Sequence, residues 1–407
     1  MSITERPSLS QLGDPAVVAN PYPVLAEIRE ASPYAVLDGG LTVLGRHADC
    51  SRVLRDPRAS SERNRSLLAP PDAHRQGALS FLSMDPPDHT RLRRLVSQAF
   101  TPRVVAGLAP RIREVTGELL AQAAARDPRE LELVGQLAYP LPVRIISELL
   151  GVPPGDHRRF AAWSARLAHS LQPEFISDGT VNRDDVAAAR AEFVAYFRDL
   201  IARRRAEPGD DLLTLLIRAE DEGSRLSEPE LLATCILLLV AGHETTVGLI
   251  SNAVLALVRH PDQLAALRAH PELAGEAVEE TLRYDPPVQF TARVARGGMR
   301  IGEIGAPDGG LILLLLAATG RDPAVFPDPD RFDITRPTGG HLAFAAGPHF
   351  CLGAPLARLE ATIALNALAR SLTGPELADD GLSYKPNVNL RGPDRLVLRT
   401  AGIRPAA

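Results

Sequence analysis

The chain has 407 residues, 45% of them hydrophobic, and a net charge of −5, which is long for one ordinary domain and enough to bury a large core. Acidic and basic residues are interspersed, so nothing points to nucleic acid, and with Lys385 as the only lysine a Schiff-base or pyridoxal enzyme is not supported. Three cysteines, Cys50, Cys235 and Cys351, are too few for a disulfide framework and suit a reducing compartment. The expectation is a cytoplasmic protein without a leader or membrane anchor, since Met1 to Pro23 is polar and Leu231 to Ala241 is too short an apolar run to span a bilayer.

In chain order, residues 21–31 have helical spacing, and 34–44 form two short apolar runs around Asp38-Gly39-Gly40, a hairpin signal. A helix is expected over 47–54, then a long polar loop from Arg58 to Ser83. Helical periodicity covers 89–100, 104–126, 137–150, 156–170, 184–205 and 211–220. Ser227-Glu228-Pro229-Glu230 is a capping box that opens a helix running to His260, before Pro261. About thirty residues at 1.5 Å rise would cross a whole domain. From Tyr284 the texture changes to short strands and turns, and residues 354–370 are helical again.

Five segments carry chemistry. Phe344-Ala345-Ala346-Gly347-Pro348-His349-Phe350-Cys351-Leu352-Gly353 presents one cysteine in a bent loop just before a helix, where free N–H groups and the macrodipole favour a thiolate. Glycines 347 and 353 allow a flat ligand close to the backbone. A buried structural cysteine is the bland alternative. Ala241-Gly242-His243-Glu244-Thr245-Thr246 sits mid-helix, and the Thr245 hydroxyl can bond to the Ala241 carbonyl and open the helix locally. A mere kink is the alternative there. His243-Glu244 does not continue as a zinc-protease motif, because Val247 stands where the second histidine belongs. Glu280 and Arg283 form an i,i+3 pair, ordinary in isolation. His89 and Arg93 share a helix face, Arg293 follows Thr291-Ala292, and His349 precedes Cys351 by two residues.

Together these motifs, in this order, resemble the cytochrome P450 family over nearly the whole chain, with Ala345 standing where that family commonly has glycine and with 294–310 irregular for that family. The resemblance implies a single domain over 1–407, mainly helical with small sheets (an α+β chain), whose β-containing part covers about 30–60, 286–345 and 381–400. It implies haem b, held by Cys351 as metal ligand, with Phe344, Gly347, Gly353 and Ala241 against the macrocycle and His89, Arg93, Arg293 and His349 on its propionates. Thiolate ligation favours O–O cleavage. Thr245 and Glu244 become the alcohol and acid that deliver protons, and Glu280, Arg283 and Arg331 a structural Glu-Arg-Arg arrangement. Arg91 and Arg94 read as a solvated face open to an acidic electron donor.

The implied activity is insertion of one oxygen atom into an apolar organic molecule such as a secondary metabolite, steroid, fatty acid or xenobiotic. Its electrons would come from a separate ferredoxin or flavodoxin and its reductase, since the chain carries no flavin, nicotinamide or iron–sulfur signature. A monomer is expected. A peroxide-driven peroxygenase and a non-catalytic haem sensor are the competing readings. Pocket walls are expected from the Arg58 to Ser83 loop, the turn at 171–181, and residues including Leu237, Leu238, Val288 and Leu390.

Overall fold

The computed structural model describes residues 8–404 apart from Asp38, 70–79, 169–181, Glu222 and Thr338. The expected turn at 171–181 and the middle of the 58–83 loop therefore lie outside the described residues.

The 32-residue helix Glu228–Arg259 organises the molecule. Its start is fixed by the Glu230 carboxylate, which accepts from the Ser227 backbone N–H and hydroxyl, both at 2.8 Å. Glu230 also pairs with Arg91, so Arg91 is tied down within the fold and is not the free docking cation of the sequence reading. The first half of the helix buries Leu231, Leu232, Cys235 and Leu239 against an aromatic group of Phe160, Trp163, Phe193 and Phe197. Its second half enters the largest core, with Ala109–Arg126, Ala274–Tyr284 and Ala354–Ser371. By length and composition this helix could cross a membrane, but 72% of its most apolar window is buried inside the protein. That is the pattern of a central core helix, apolar on all sides. Gly248 lets other chain segments touch it, since a Cβ there would stand 2.8 Å from the Arg391 carbonyl oxygen and 2.9 Å from Pro287 Cβ.

Most predicted helices are present with shifted ends. The 104–126 segment is two helices, Pro102–Gly107 and Ala109–Arg126, and the 137–150 segment starts with a π-helical turn, Val134–Ala138, before Pro140–Leu149.

Five strands form the main sheet in the spatial order Tyr34–Val36, Leu41–Leu44, Leu311–Leu314, Thr291–Ala295, Ala59–Ser60. Leu311–Leu314 runs parallel to Leu41–Leu44 and antiparallel to Thr291–Ala295. Both central runs are wholly apolar or nearly so and wholly buried, as strands covered on both faces must be. The region 294–310, irregular by sequence, is a regular excursion, with Met299–Ile301 paired to Ile304–Ala306 before the chain returns. A second sheet joins Glu376–Tyr384, Pro393–Arg399 and the short strand Glu130–Glu132. That last strand lies between helices and gave no sequence signal.

The Glu280–Arg283 pair is fully buried. Arg283 donates to both Glu280 oxygens (2.7 and 2.8 Å) and to the carbonyls of Gly320, Pro329 and Arg331. Here the sequence reading needs correction. Arg331 contributes its backbone carbonyl, while its side chain is 66% exposed beside Asp333. The second guanidinium at Glu280 belongs to Arg336, whose Nε is 3.5 Å from the carboxylate and whose side chain is 11% exposed. Both residues follow Pro329 within a short stretch, so spacing alone does not separate them.

Candidate active site

A cavity of about 260 Å³ lies between the long helix and the cysteine loop. The loop is held from outside. Gly347 has φ +70°, and a Cβ on it would lie 2.4 Å from the Leu54 carbonyl oxygen in helix His47–Arg55, a position that only glycine fits. Ala345 also has positive φ, +57°, which strains a residue with a Cβ. The Cys351 N–H donates to the Phe344 carbonyl at 3.0 Å, and the Arg358 guanidinium lies 4.6 Å over the Phe344 ring.

Cys351 is the one exposed cysteine, opening onto the cavity, whereas Cys50 and Cys235 are buried and free. The exposed surface of Cys351 faces into the cavity, and desolvation by the surrounding protein pushes its thiol up, against the pull of the Gly353 and Ala354 backbone N–H groups, Arg93 and Arg358. The helix start thus opposes desolvation but does not overcome it, contrary to the lowered pKa expected from sequence. Burial pushes the other two thiols up strongly, leaving them as apolar filling.

From the long helix, Leu237, Leu238, Ala241, Gly242 and Thr245 line the cavity. The Thr245 hydroxyl donates to the Ala241 carbonyl at 2.8 Å, and Thr246 to Gly242 at 2.9 Å. The helix nevertheless continues unbroken through this segment, so the expected opening is absent. Gly242 has no neighbour within 4 Å of a would-be Cβ; it keeps space in the cavity. Glu244, one residue before Thr245, is not on the cavity wall. Its carboxylate accepts from Lys385 Nζ at 2.5 Å and lies 3.2 Å from His243 Nε2. Burial alone would raise its pKa, but His243 and Lys385 bring it down to about 2.

At the basic end, Arg93, Arg293 and His349 line the cavity, together with Arg63, which the sequence reading missed. His89 packs against His349 with ring centroids 4.1 Å apart and planes tilted by 37°. Both His89 ring nitrogens are buried without a hydrogen-bond partner. Arg93 donates to the Phe350 carbonyl, and Arg293 to the Ala292 carbonyl and the Thr291 hydroxyl. Desolvation, then the neighbouring positive charges, holds His349 down at about 3, and desolvation with Arg63 holds Arg293 down at about 10. Such a crowd of buried donors needs anionic acceptors, and the two carboxylates of a haem fit that requirement. No group of three or more His, Cys, Asp and Glu able to hold a bare metal ion occurs among the described residues. A lone thiol in the cavity therefore suits a metal carried in by a macrocycle.

Phe344, Gly353 and Val288 also line the cavity. Leu390 does not; it is buried one layer behind, with its backbone bridged to Val288. Glu360 was likewise missed. It is buried, lines the cavity, and is raised to about 8 by desolvation. A signal for it existed, because Gly353, Leu356 or Ala357, and Glu360 follow one another at helical spacing from the loop. For Arg63 the surrounding loop has no period, and for Lys385 only its being the sole lysine stood out.

The cytochrome P450 family model matches residues 38–272 and 269–373. The chain is 45% identical over 372 residues to "Cytochrome P450 107B1" of Saccharopolyspora erythraea, covering 88% of each. To the "Vitamin D(3) 25-hydroxylase" of Pseudonocardia autotrophica it is 42% identical over 398 residues, covering 95% of each. Among solved structures, ligand-free CYP164A2 of Mycobacterium smegmatis superposes with a TM-score of 0.88 at 46% identity, covering 96% of this chain and 99% of that one.

Proposed function

This chain belongs to the cytochrome P450 family and is a haem b monooxygenase, and from that premise we propose that Cys351 would hold the haem iron as a thiolate and that Thr245 would serve as the alcohol of proton delivery. The observation that carries this is the placing of both on one cavity, the thiol at the start of Ala354–Ser371 and the hydroxyl on the long helix. When bound, the haem supplies the oxygen-activating chemistry, using thiolate donation to favour O–O cleavage.

The remaining roles belong to the chain. His89, Arg93, Arg293 and His349, joined by Arg63, hold the propionates and satisfy the orphaned imidazole. Phe344, Gly347 and Gly353 set the ligand loop, and Ala241 and Gly242 keep the helix face flat. Thr245 donates to Ala241, so its oxygen stays free to accept from an ordered water. Glu244 is the acid behind it. The largely aliphatic wall of Leu237, Leu238 and Val288 excludes water and fits an apolar molecule, the class that the name of the vitamin D(3) relative also supports. P450 enzymes of bacteria take electrons from separate redox proteins; a ferredoxin or flavodoxin with its reductase serves here.

The reduced, carbonyl-bound spectrum of the wild type and of Cys351→Ser tests the ligand. The wild type should show the red-shifted Soret band of thiolate haem and the variant should lose it. A spectral-shift titration of the ferric enzyme with seco-steroids and with fatty acids tests the substrate class.

A further inference from the structure

Helix Ala274–Tyr284 carries two adjacent carboxylates, and consecutive residues of a helix point about 100° apart, so the two serve different neighbours. Glu280 turns inward to Arg283. Glu279 turns to the cysteine loop and the helix behind it. Its oxygens accept from Arg358 Nε at 2.6 Å and Nη2 at 2.9 Å, a bidentate pair that fixes the guanidinium. The same guanidinium lies over the Phe344 ring, and the Phe344 carbonyl is the acceptor of the Cys351 N–H. Arg358 is thus held between Glu279 and the residue that bonds the cysteine backbone. His341 closes the other side, with Nε2 3.1 Å from Glu279 and Nδ1 accepting the Ala343 N–H at 3.3 Å. A nitrogen that accepts carries no proton, so the ring is neutral and its one proton, on Nε2, is directed at Glu279. Burial alone would raise the Glu279 pKa, but His341 and Arg358 bring it down to about 2, which leaves an anion at any working pH.

Two guanidiniums pull on Cys351, those of Arg93 and Arg358, and they are not equivalent. Arg93 lines the cavity and Arg358 does not, so only Arg93 can spend its charge on a propionate. Arg358 spends its charge on Glu279. Their side chains are 36% and 27% exposed, and an ion pair so open to water adds little stability. Its consequence lies in where it places charge. We propose that Glu279 is a counter-charge that offsets Arg358 at Cys351 and so keeps the thiolate a strong donor to the haem iron. The inference rests on the reading of Cys351 as that iron's ligand. Neutralising the carboxylate leaves an uncompensated positive charge behind the loop, which draws electron density on the sulfur away from the iron and favours the reduced metal. Glu279 is a positioning residue that acts through Arg358, and neither lines the cavity.

The holoenzyme tests this by its reduction potential and by the C–O stretching frequency of its reduced, carbonyl-bound form, neither of which needs turnover. Glu279→Gln keeps the side-chain shape and removes the charge. It should move the potential to more positive values, so that at the wild-type midpoint the reduced form outnumbers the oxidised by about threefold or more. It should also raise the C–O frequency, since a weaker thiolate leaves the iron less density to share with the carbonyl. Arg358→Met should move both quantities the other way, and the double variant, with neither charge, should return towards wild type. Shifts of the two single variants in the same direction would report a loosened loop and overturn the counter-charge. An unmoved potential in Glu279→Gln overturns it as well, and if binding of a surrogate ferredoxin weakens at that unmoved potential, the pair belongs to docking. A wild-type enzyme lacking the red-shifted Soret band would remove Cys351 as the ligand and the counter-charge with it; with that band present, the single variants judge the counter-charge alone.

Discussion

Single residues carry most of the chemistry, and their individual strains are testable. Ala345 sits at φ +57° in the loop before Cys351, where an L-residue costs roughly 1–2 kcal/mol relative to glycine. Ala345→Gly should therefore raise stability by about 0.5–1 kcal/mol, after the greater freedom of glycine in the unfolded chain is subtracted. A denaturant midpoint measured on the ferric holoenzyme checks this, with the Soret position expected unchanged. Thr245→Ala should keep haem and ligand binding but release more peroxide per reductant consumed, because a hydroxyl on the cavity wall is lost. Peroxide and product measured together decide it. Cys351, Thr245, His89, Arg93, Arg293 and His349 were legible in the sequence because short-range spacing around a loop or along a helix marks them, whereas Arg63 lies in a stretch without a period. Lys385 and Glu244 lie 141 residues apart, and nothing local in the sequence records that they meet.

At the scale of elements, the buried Glu280–Arg283 pair links helix Ala274–Tyr284 to the carbonyls of Gly320, Pro329 and Arg331. Gly320 is forced by this packing, since a Cβ there would collide with the Arg283 carbonyl oxygen at 2.0 Å. Removing one partner strands a buried charge. Arg283→Ala should destabilise by about 3–5 kcal/mol, while Arg331→Ala, an exposed side chain, should fall within about 0.5 kcal/mol of wild type. Arg336→Ala should lie between them, and urea unfolding of the three variants ranks them. The sequence placed this pair at helical spacing and could not tell buried from solvated, because i,i+3 geometry is the same in both. The long helix was legible nearly to the residue, as a capping box and a proline bracket it. The strand Glu130–Glu132 was not, for its pairing with Pro393–Arg399 is non-local and its residues alternate only once.

Over the whole molecule, Glu360 should leave a signature in the dependence of stability on pH. Its folded pKa is raised from 4.5 to about 8, so the unfolded chain loses the proton first as pH rises. Stability is then undiminished by this group below about pH 4.5 and falls between there and pH 8 by up to roughly 1.4 kcal/mol per unit. Glu360→Gln should remove that contribution and be relatively more stable than wild type at pH 8 than at pH 5. Melting curves at the two values test it, with equal differences at both counting against a buried neutral acid.

The cavity wall draws on residues from Arg63 to Glu360, and Gly347 of the ligand loop is seated on the Leu54 carbonyl of an early helix. No partial chain emerging from the ribosome can possess a complete binding site. Cofactor capture must wait until the segment through Glu360 has emerged and closed back onto the first sixty residues. Biogenesis is accordingly ordered, because the chain through Glu360 must be made and folded back before the complete cofactor site exists.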